Sequence, residues 1–320
     1  MTIEEASSLI KKKCLELGFS ACGIARAEAV DQCAVQEHED WLLMGYAADM
    51  GYLHRNKDMR YDPRLLEPGT KSLICVAMNY YPKQFVESDV SFACYSYGKD
   101  YHYVLKSYLS LLLKYIKEEV SPELGLQEEV SGRAFTDSAP LMERYWAKKC
   151  GLGFQGRNSL IIVPKVGSFC FLGVLAVDIE LAYDAPVHIS CGNCHRCEEA
   201  CPTQALRNGI VDANKCISYQ TIENKSLEIP TDISSKMGNR IYGCDACQKA
   251  CPWNRFAVPT TFEEFSPSED FLNISSQTIK KMSNGDFKRV FKDSAVSRAG
   301  LKGLQRNVSS MDDCNAEIAE

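Results

Sequence analysis

Ile3, Ala6, Ile10, Cys14 and Leu17 recur at steps of three and four near the start of the chain, behind a Thr2–Glu5 pair and ahead of Gly18. That spacing lines one face of a helix, opened by a capping box and closed by the glycine. Apolar runs at 19–27 and 71–81, the second bounded by Pro68-Gly69 and Pro82, read as buried strands. Residues 32–46 and 101–120 return to helical spacing, the latter with a wide apolar face. A further helix is expected at 140–150, with Pro140 near its start and Gly151 just past its end. The apolar stretches 159–163 and 169–179, parted by Pro164 and Gly167, predict a hairpin. Helices and strands mix without strict alternation, so residues 1–182 read as one α+β domain. Residues 183–260 form a loop-rich module, and residues 261–320 a helical segment.

Composition narrows the class. Hydrophobic residues make up 45% of the 320 and charged residues 24%, which excludes a disordered chain. A net charge of −6 argues against a whole-surface nucleic-acid binder but leaves room for a local basic patch. The start of the chain lacks the pattern of a secretory signal, and no apolar run is long enough to span a membrane, so a cytoplasmic protein is expected. Sixteen cysteines in a reducing compartment point to metal ligation rather than disulfides. Cys14, Cys22, Cys33, Cys75, Cys94, Cys150, Cys170 and Cys314 are scattered and read as small buried hydrophobes.

The other eight cysteines carry the chemistry. Cys191-x-x-Cys194-x-x-Cys197-x-x-x-Cys201-Pro202 has the bacterial ferredoxin spacing, in which three cysteines hold one cubane and the fourth holds another. Cys244-x-x-Cys247-x-x-x-Cys251-Pro252 supplies a partial second copy, and Cys216 fills the place it lacks. The expected sets are Cys191, Cys194, Cys197 and Cys251 on one [4Fe–4S] cluster, and Cys201, Cys216, Cys244 and Cys247 on the other. The competing reading is a pair of zinc sites, which suits C-x-x-C pairs but not the full run. His195 reads as a loop residue inside the motif. Two adjacent clusters form an electron wire, which needs an acceptor. No Gly-x-Gly-x-x-Gly follows a strand, and no Asp-x-His-x-x-Gly is present. The residues alone therefore give a redox enzyme with its acceptor in the N-terminal domain, or a pure electron-transfer protein.

Several stretches are similar to the epoxyqueuosine reductase family. They are Tyr97-Gly98-Lys99-Asp100-Tyr101-His102, Thr136-Asp137-Ser138-Ala139-Pro140-Leu141-Met142-Glu143-Arg144, and Gly151-Leu152-Gly153-Phe154-x-Gly156-Arg157-Asn158-Ser159-Leu160. Cys216-Ile217-Ser218-Tyr219-x-Thr221-Ile222-Glu223, Ile241-Tyr242-Gly243-Cys244-Asp245-x-Cys247-Gln248, and Ser294-x-x-x-Arg298-Ala299-Gly300 with Arg306-Asn307 complete the match. The resemblance implies base-off cobalamin beside two [4Fe–4S] clusters, and reduction of epoxyqueuosine to queuosine at wobble position 34 of tRNA. It implies a cobalamin-binding core similar to that of reductive dehalogenases, with a ferredoxin-like module attached. Another corrinoid reductase of the dehalogenase kind is the alternative. Many members carry a helical-repeat extension after the Arg-Asn pair; here none is expected beyond 320.

The same resemblance makes Asp137 the proton donor, against a plain reading of Thr136, Asp137 and Ser138 as helix caps. It places Arg55 (with Arg60 as a rival), Ser96, Asp137, Ile161, Leu172, Ser218, Cys244 and Asp245 around the corrin. Ile161 and Leu172 read equally as strand core, and His102 as a helix-start histidine. For the tRNA anticodon stem-loop, residues 280–306 hold eight Lys or Arg against two Asp. Lys288 and Arg298 there, with Lys225 at the module edge, are the expected phosphate contacts; a solvated helical face is the plainer reading. Asp312, Asp313, Glu317 and Glu320 would discourage nonspecific RNA binding. An external low-potential electron donor and a monomer are expected.

Overall fold

The computed structural model describes the backbone of residues 1–319 and the side chains of residues 1–311, so Cys314 and the acidic tail lie outside the described side chains. Its centre is a four-stranded antiparallel sheet of β1 (Ala21–Arg26), β2 (Ser72–Asn79), β3 (Gly132–Phe135) and β4 (Cys170–Val177), in the order β1-β2-β4-β3. Alternation along β2 divides the core. Ile74, Val76 and Met78 join a cluster with Leu105, Leu109 and Leu112, from α2 (Tyr101–Tyr115), and with Ile10 of α1 (Ile3–Glu16). Leu73, Cys75 and Ala77 face Trp146 and Ala147 of α3 (Glu143–Lys149). Both faces are covered, which is why β2 reads as an unbroken apolar run rather than an alternating one. Helix α2 approaches β4 so closely that a side chain at Gly173 would collide with Leu105.

The helix at 101–120 passes into a π-turn at Ile116–Val120 and ends in Ser121–Glu123. Two expectations need correction. The helix expected at 140–150 begins at Glu143, because Met142 is not helical and the Pro140 stretch forms a bend. The hairpin of 159–163 with 169–179 does not form. Val163 and Gly167 make an isolated bridge, β4 is taken up by β2 and β3, and Ile161–Ile162 turns back onto Phe154–Gln155.

The cysteine-rich stretch is tied to the sheet region. Arg240–Tyr242 pairs in parallel with Ser91–Phe92, and the Trp41 indole donates to Val211 O. Phe262 and Phe265 pack into the α1–α2 side of the sheet core. Gly98 takes a positive φ of 68° where its backbone lies against Phe265, a position that leaves no room for a side chain. Helix α4 (Gly300–Ala319) is pinned by the Arg-Asn pair. Asn307 Nδ2 donates to Thr221 O and Ile241 O, and the Arg306 guanidinium donates to the carbonyls of Gln220, Asn224 and Ser226.

Asn307 is fully buried, so its removal strands two carbonyls. Asn307→Ala is expected to cost about 1–3 kcal/mol per unsatisfied group in chemical denaturation of the cofactor-loaded protein; an unchanged midpoint would show the contacts to be dispensable.

Candidate functional site

Cys191, Cys194, Cys197 and Cys251 line one cavity, with Arg157, Asn158, Ile162, Pro252 and Trp253 completing its wall. Two short helices bring the sulfurs there. Arg196–Glu199 follows the first run, Ala246–Lys249 follows the second, and the two pack together. Arg157 N–H donates to Cys191 Sγ (3.4 Å). Arg157 Nε and Asn158 Nδ2 are buried without a hydrogen-bond partner, so the cavity wall offers donors that suit the sulfurs of an inorganic cluster. Among the described residues, no three His, Cys, Asp or Glu side chains close on one point as a single ion needs. The ferredoxin spacing of the run that lines this cavity favours a cubane over zinc.

Cys201, Cys216, Cys244 and Cys247 form the neighbouring set. Burial pushes the Cys216 thiol up, with Cys201 adding to the effect. Burial raises Cys244 to about 11, with a contribution from Cys216. Cys247 is raised by burial, then by Cys244 and Cys216, and feels Cys197 across the gap between the two sets. Such thiols stay protonated until a metal draws off the proton. His195 is paired through Nδ1 with Glu198.

The second half of the site is a group of charged and aromatic side chains beyond the end of β3. Thr136 is buried and donates its hydroxyl to Leu172 O (3.0 Å). Asp137 follows, exposed and at φ +49°. A left-handed backbone costs a non-glycine residue roughly 1–2 kcal/mol, so the contacts around it must hold it there. Tyr101 OH donates to Asp137 Oδ2 (2.6 Å), and the tyrosine ring stacks on Phe171 and His102. Asp137 N–H donates to Glu143 Oε1 (2.5 Å). Burial, then the Asp137 carboxylate, pushes Glu143 up to about 8. Burial, then Asp137, raises Tyr101 far above an ordinary phenol. Asp137 does not cap a helix with its side chain; His102 sits at a helix start, bonded to Asp100.

Arg60, only 9% exposed, acts on Glu143 by its charge, and its Nε is buried without a partner. Tyr52 is raised to about 12 by burial and then by Glu223 and Asp137. Arg298 makes a two-pronged pair with Glu223, both bonds at 2.8 Å.

The other expected residues scatter. Arg55 is exposed, and its guanidinium has no protein partner among the described residues. Ser96 is buried, with its hydroxyl on Ala93 O. Asp245 is buried and accepts from Cys94 N–H (2.7 Å), tying the module to the 94–96 turn. Ile161 packs in the Trp146 cluster. Leu172 is half-buried, and Ser218 lies beside Cys216. The basic segment is less free than its charge count suggests. Arg289 pairs with Asp270, Arg298 with Glu223, and Arg306 with carbonyls. Lys225 Nζ is held by Ile222 O and Arg298 O. Lys281, Lys288, Lys292 and Lys302 remain exposed. Sequence reasoning missed Tyr101, Glu143 and Tyr52 as site residues. The first two stand inside quoted motifs, and only the fold turns them towards Asp137.

Residues 60–138 match the family model "Epoxyqueuosine reductase QueG, DUF1730", and residues 190–254 match "4Fe-4S double cluster binding domain". The chain is 44% identical to the epoxyqueuosine reductase of Cyclobacterium marinum, covering 96% of this chain and 97% of that one. It is 38% identical to the enzyme of Vibrio cholerae, covering 96% and 83%. A crystal structure of epoxyqueuosine reductase with an epoxyqueuosine-modified tRNA-Tyr stem loop superposes with a TM-score of 0.87 at 28% identity, covering 97% of this chain and 81% of that one. The Bacillus subtilis enzyme, solved with its catalytic aspartate loop swung out of the active site, gives 0.86 at 27%, covering 100% and 86%. The reductive dehalogenase NpRdhA shares the fold alone, with a TM-score of 0.50 at 15% identity over 96% of this chain and 38% of that one.

The crossed thiol sets make a direct test. Cys251→Ser is expected to deplete the cluster of the first run, and Cys216→Ser the other. Iron analysis and electron paramagnetic resonance after anaerobic reconstitution would show it; two undisturbed cluster spectra in Cys251→Ser would refute the crossing.

Proposed function

The chain belongs to the epoxyqueuosine reductase family, and we propose that it reduces epoxyqueuosine to queuosine at the wobble base of tRNA, with Asp137 as the proton donor. The observation that carries the assignment of roles is the Asp137 constellation: an exposed carboxyl group held by Tyr101, with its backbone N–H held by Glu143, in a chain that also gathers Cys191, Cys194, Cys197 and Cys251 around one cavity. Removing the epoxide oxygen takes two electrons and two protons, and yields an alkene and water. In this reading two [4Fe–4S] clusters and a base-off cobalamin, when bound, supply the electrons at low potential. The orphaned Nε of Arg60 and the unpartnered Arg55 guanidinium suit the amides or phosphate of a corrin. The His102 ring, engaged by Asp100 and stacked on Tyr101, fits a site without a histidine ligand.

The chain's own residues have three tasks. Asp137 delivers a proton to the departing oxygen. Tyr101 fixes the orientation of that carboxyl group by donating to Oδ2, and its stacking on Phe171 fixes Tyr101 in turn. The exposed lysines of 281–302 attract the RNA backbone, and a flipped wobble base reaches Asp137. Of the phosphate contacts, we retain Lys288 as a direct one; Arg298 acts through its pair with Glu223, and Lys225 as a support. We read the segment 136–142 as the counterpart of the loop that swings in the Bacillus subtilis enzyme. The reading includes an external low-potential donor, a monomer and a cytoplasmic setting; among the described residues no helix is long and apolar enough to cross a membrane.

Anaerobic incubation with epoxyqueuosine-containing tRNA and a low-potential reductant, with and without cobalamin, tests the reaction through the loss of one oxygen from the digested nucleoside. Asp137→Asn is expected to keep the cofactor spectra and lose about 100-fold or more in turnover. Full activity in that variant would remove Asp137 from the reaction. Lys288→Ala is expected to weaken tRNA binding and lower the salt slope by about one, with turnover at saturating tRNA retained.

A further inference from the structure

We propose that Glu143 is the positioning residue of the Asp137 loop, its side-chain oxygen accepting the Asp137 N–H and so holding that residue in the left-handed conformation that turns its carboxyl group onto Tyr101. The inference rests on the reading of Asp137 as proton donor. Four side-chain contacts hold the loop: Thr136 to Leu172 O, Tyr101 to Asp137 Oδ2, Asp137 N–H to Glu143 Oε1, and Lys106 Nζ to Ser138 Oγ. The first two leave the peptide preceding Asp137 free to rotate. Only the third acts on that peptide, and it does so from the first turn of α3, which is anchored by Trp146 beneath the sheet. At φ +49° Asp137 holds a left-handed conformation that carries a steric cost, less for Asp than for most side chains.

Glu143 is faced by the Asp137 carboxyl, by Tyr101 of α2, by the Cys75 thiol of β2, by Arg60, and by its neighbour Arg144. Burial, then the Asp137 carboxylate, raises it to about 8, and its side-chain oxygen Oε1 receives the N–H. Glutamine reproduces that acceptor, whereas methionine keeps the length and removes it. The sign of the pH effect follows. An acid whose folded pKa is raised favours folding below its ordinary value and loses that contribution as pH rises to about 8. Glu143→Gln escapes the loss, so its melting temperature relative to the parent chain should climb between pH 5 and pH 9.

The test is hydrogen–deuterium exchange on the cofactor-loaded protein, comparing a peptide over 136–142 with one over 72–79 in the sheet. In Glu143→Met the loop peptide is expected to exchange faster while the sheet peptide stays protected. Turnover should fall about 10-fold or more, and up to about 100-fold, with KM for tRNA unchanged. Glu143→Gln should restore both exchange and turnover near neutral pH. Parent-like loop exchange in Glu143→Met, or loosening equal in loop and sheet, would overturn the positioning role. An active Asp137→Asn would instead overturn the proton-donor reading and leave the exchange result standing.

Discussion

Cys251 meets Cys191, Cys194 and Cys197 around one cavity, and most of the molecule is arranged so that it can. A thiol set drawn from two separated stretches cannot form until both stretches are held at one place. Two short helices packed together give that place, and the wall opposite comes from Arg157, Asn158 and Ile162 of the sheet domain. The module is thus built against the N-terminal half rather than beside it. Asp245, bonded to Cys94 N–H, and the pairing of Arg240–Tyr242 with Ser91–Phe92 carry the same dependence to the second thiol set.

The periodicity at 3–17 and the apolar run at 71–81 were readable because each element is decided by its own burial. Helix α1 presents one stripe, and β2 is covered on both faces. The expected hairpin failed because its second strand is the central β4, and strand pairing is settled by partners distant in sequence. The thiol sets were legible for the opposite reason: cluster geometry dictates a spacing that the chain must repeat. Glu143 had no such mark. It stands six positions after Asp137, across a bend, and its relation to that residue comes from a backbone N–H that sequence does not display.

Charge shows the same divide between counting and placing. The segment 280–306 is basic by composition, yet Arg289 and Arg298 are matched by Asp270 and Glu223 from elsewhere in the chain. Arg306 bonds carbonyls and works as a structural pin. Lysines on exposed helical turns, with no geometry imposed on them, are better suited to a mobile polyanion than a guanidinium already engaged in two directions.

The pin at Arg306 and Asn307 bears on how the molecule is made. The carbonyls it holds, at Gln220, Thr221, Asn224, Ser226 and Ile241, belong to the segment that carries Cys216 and leads into Cys244. A ribosome releases those cysteines well before it releases residue 307. The support of that segment therefore comes from residues far later in the chain, and the order of the sequence is not the order in which its contacts close.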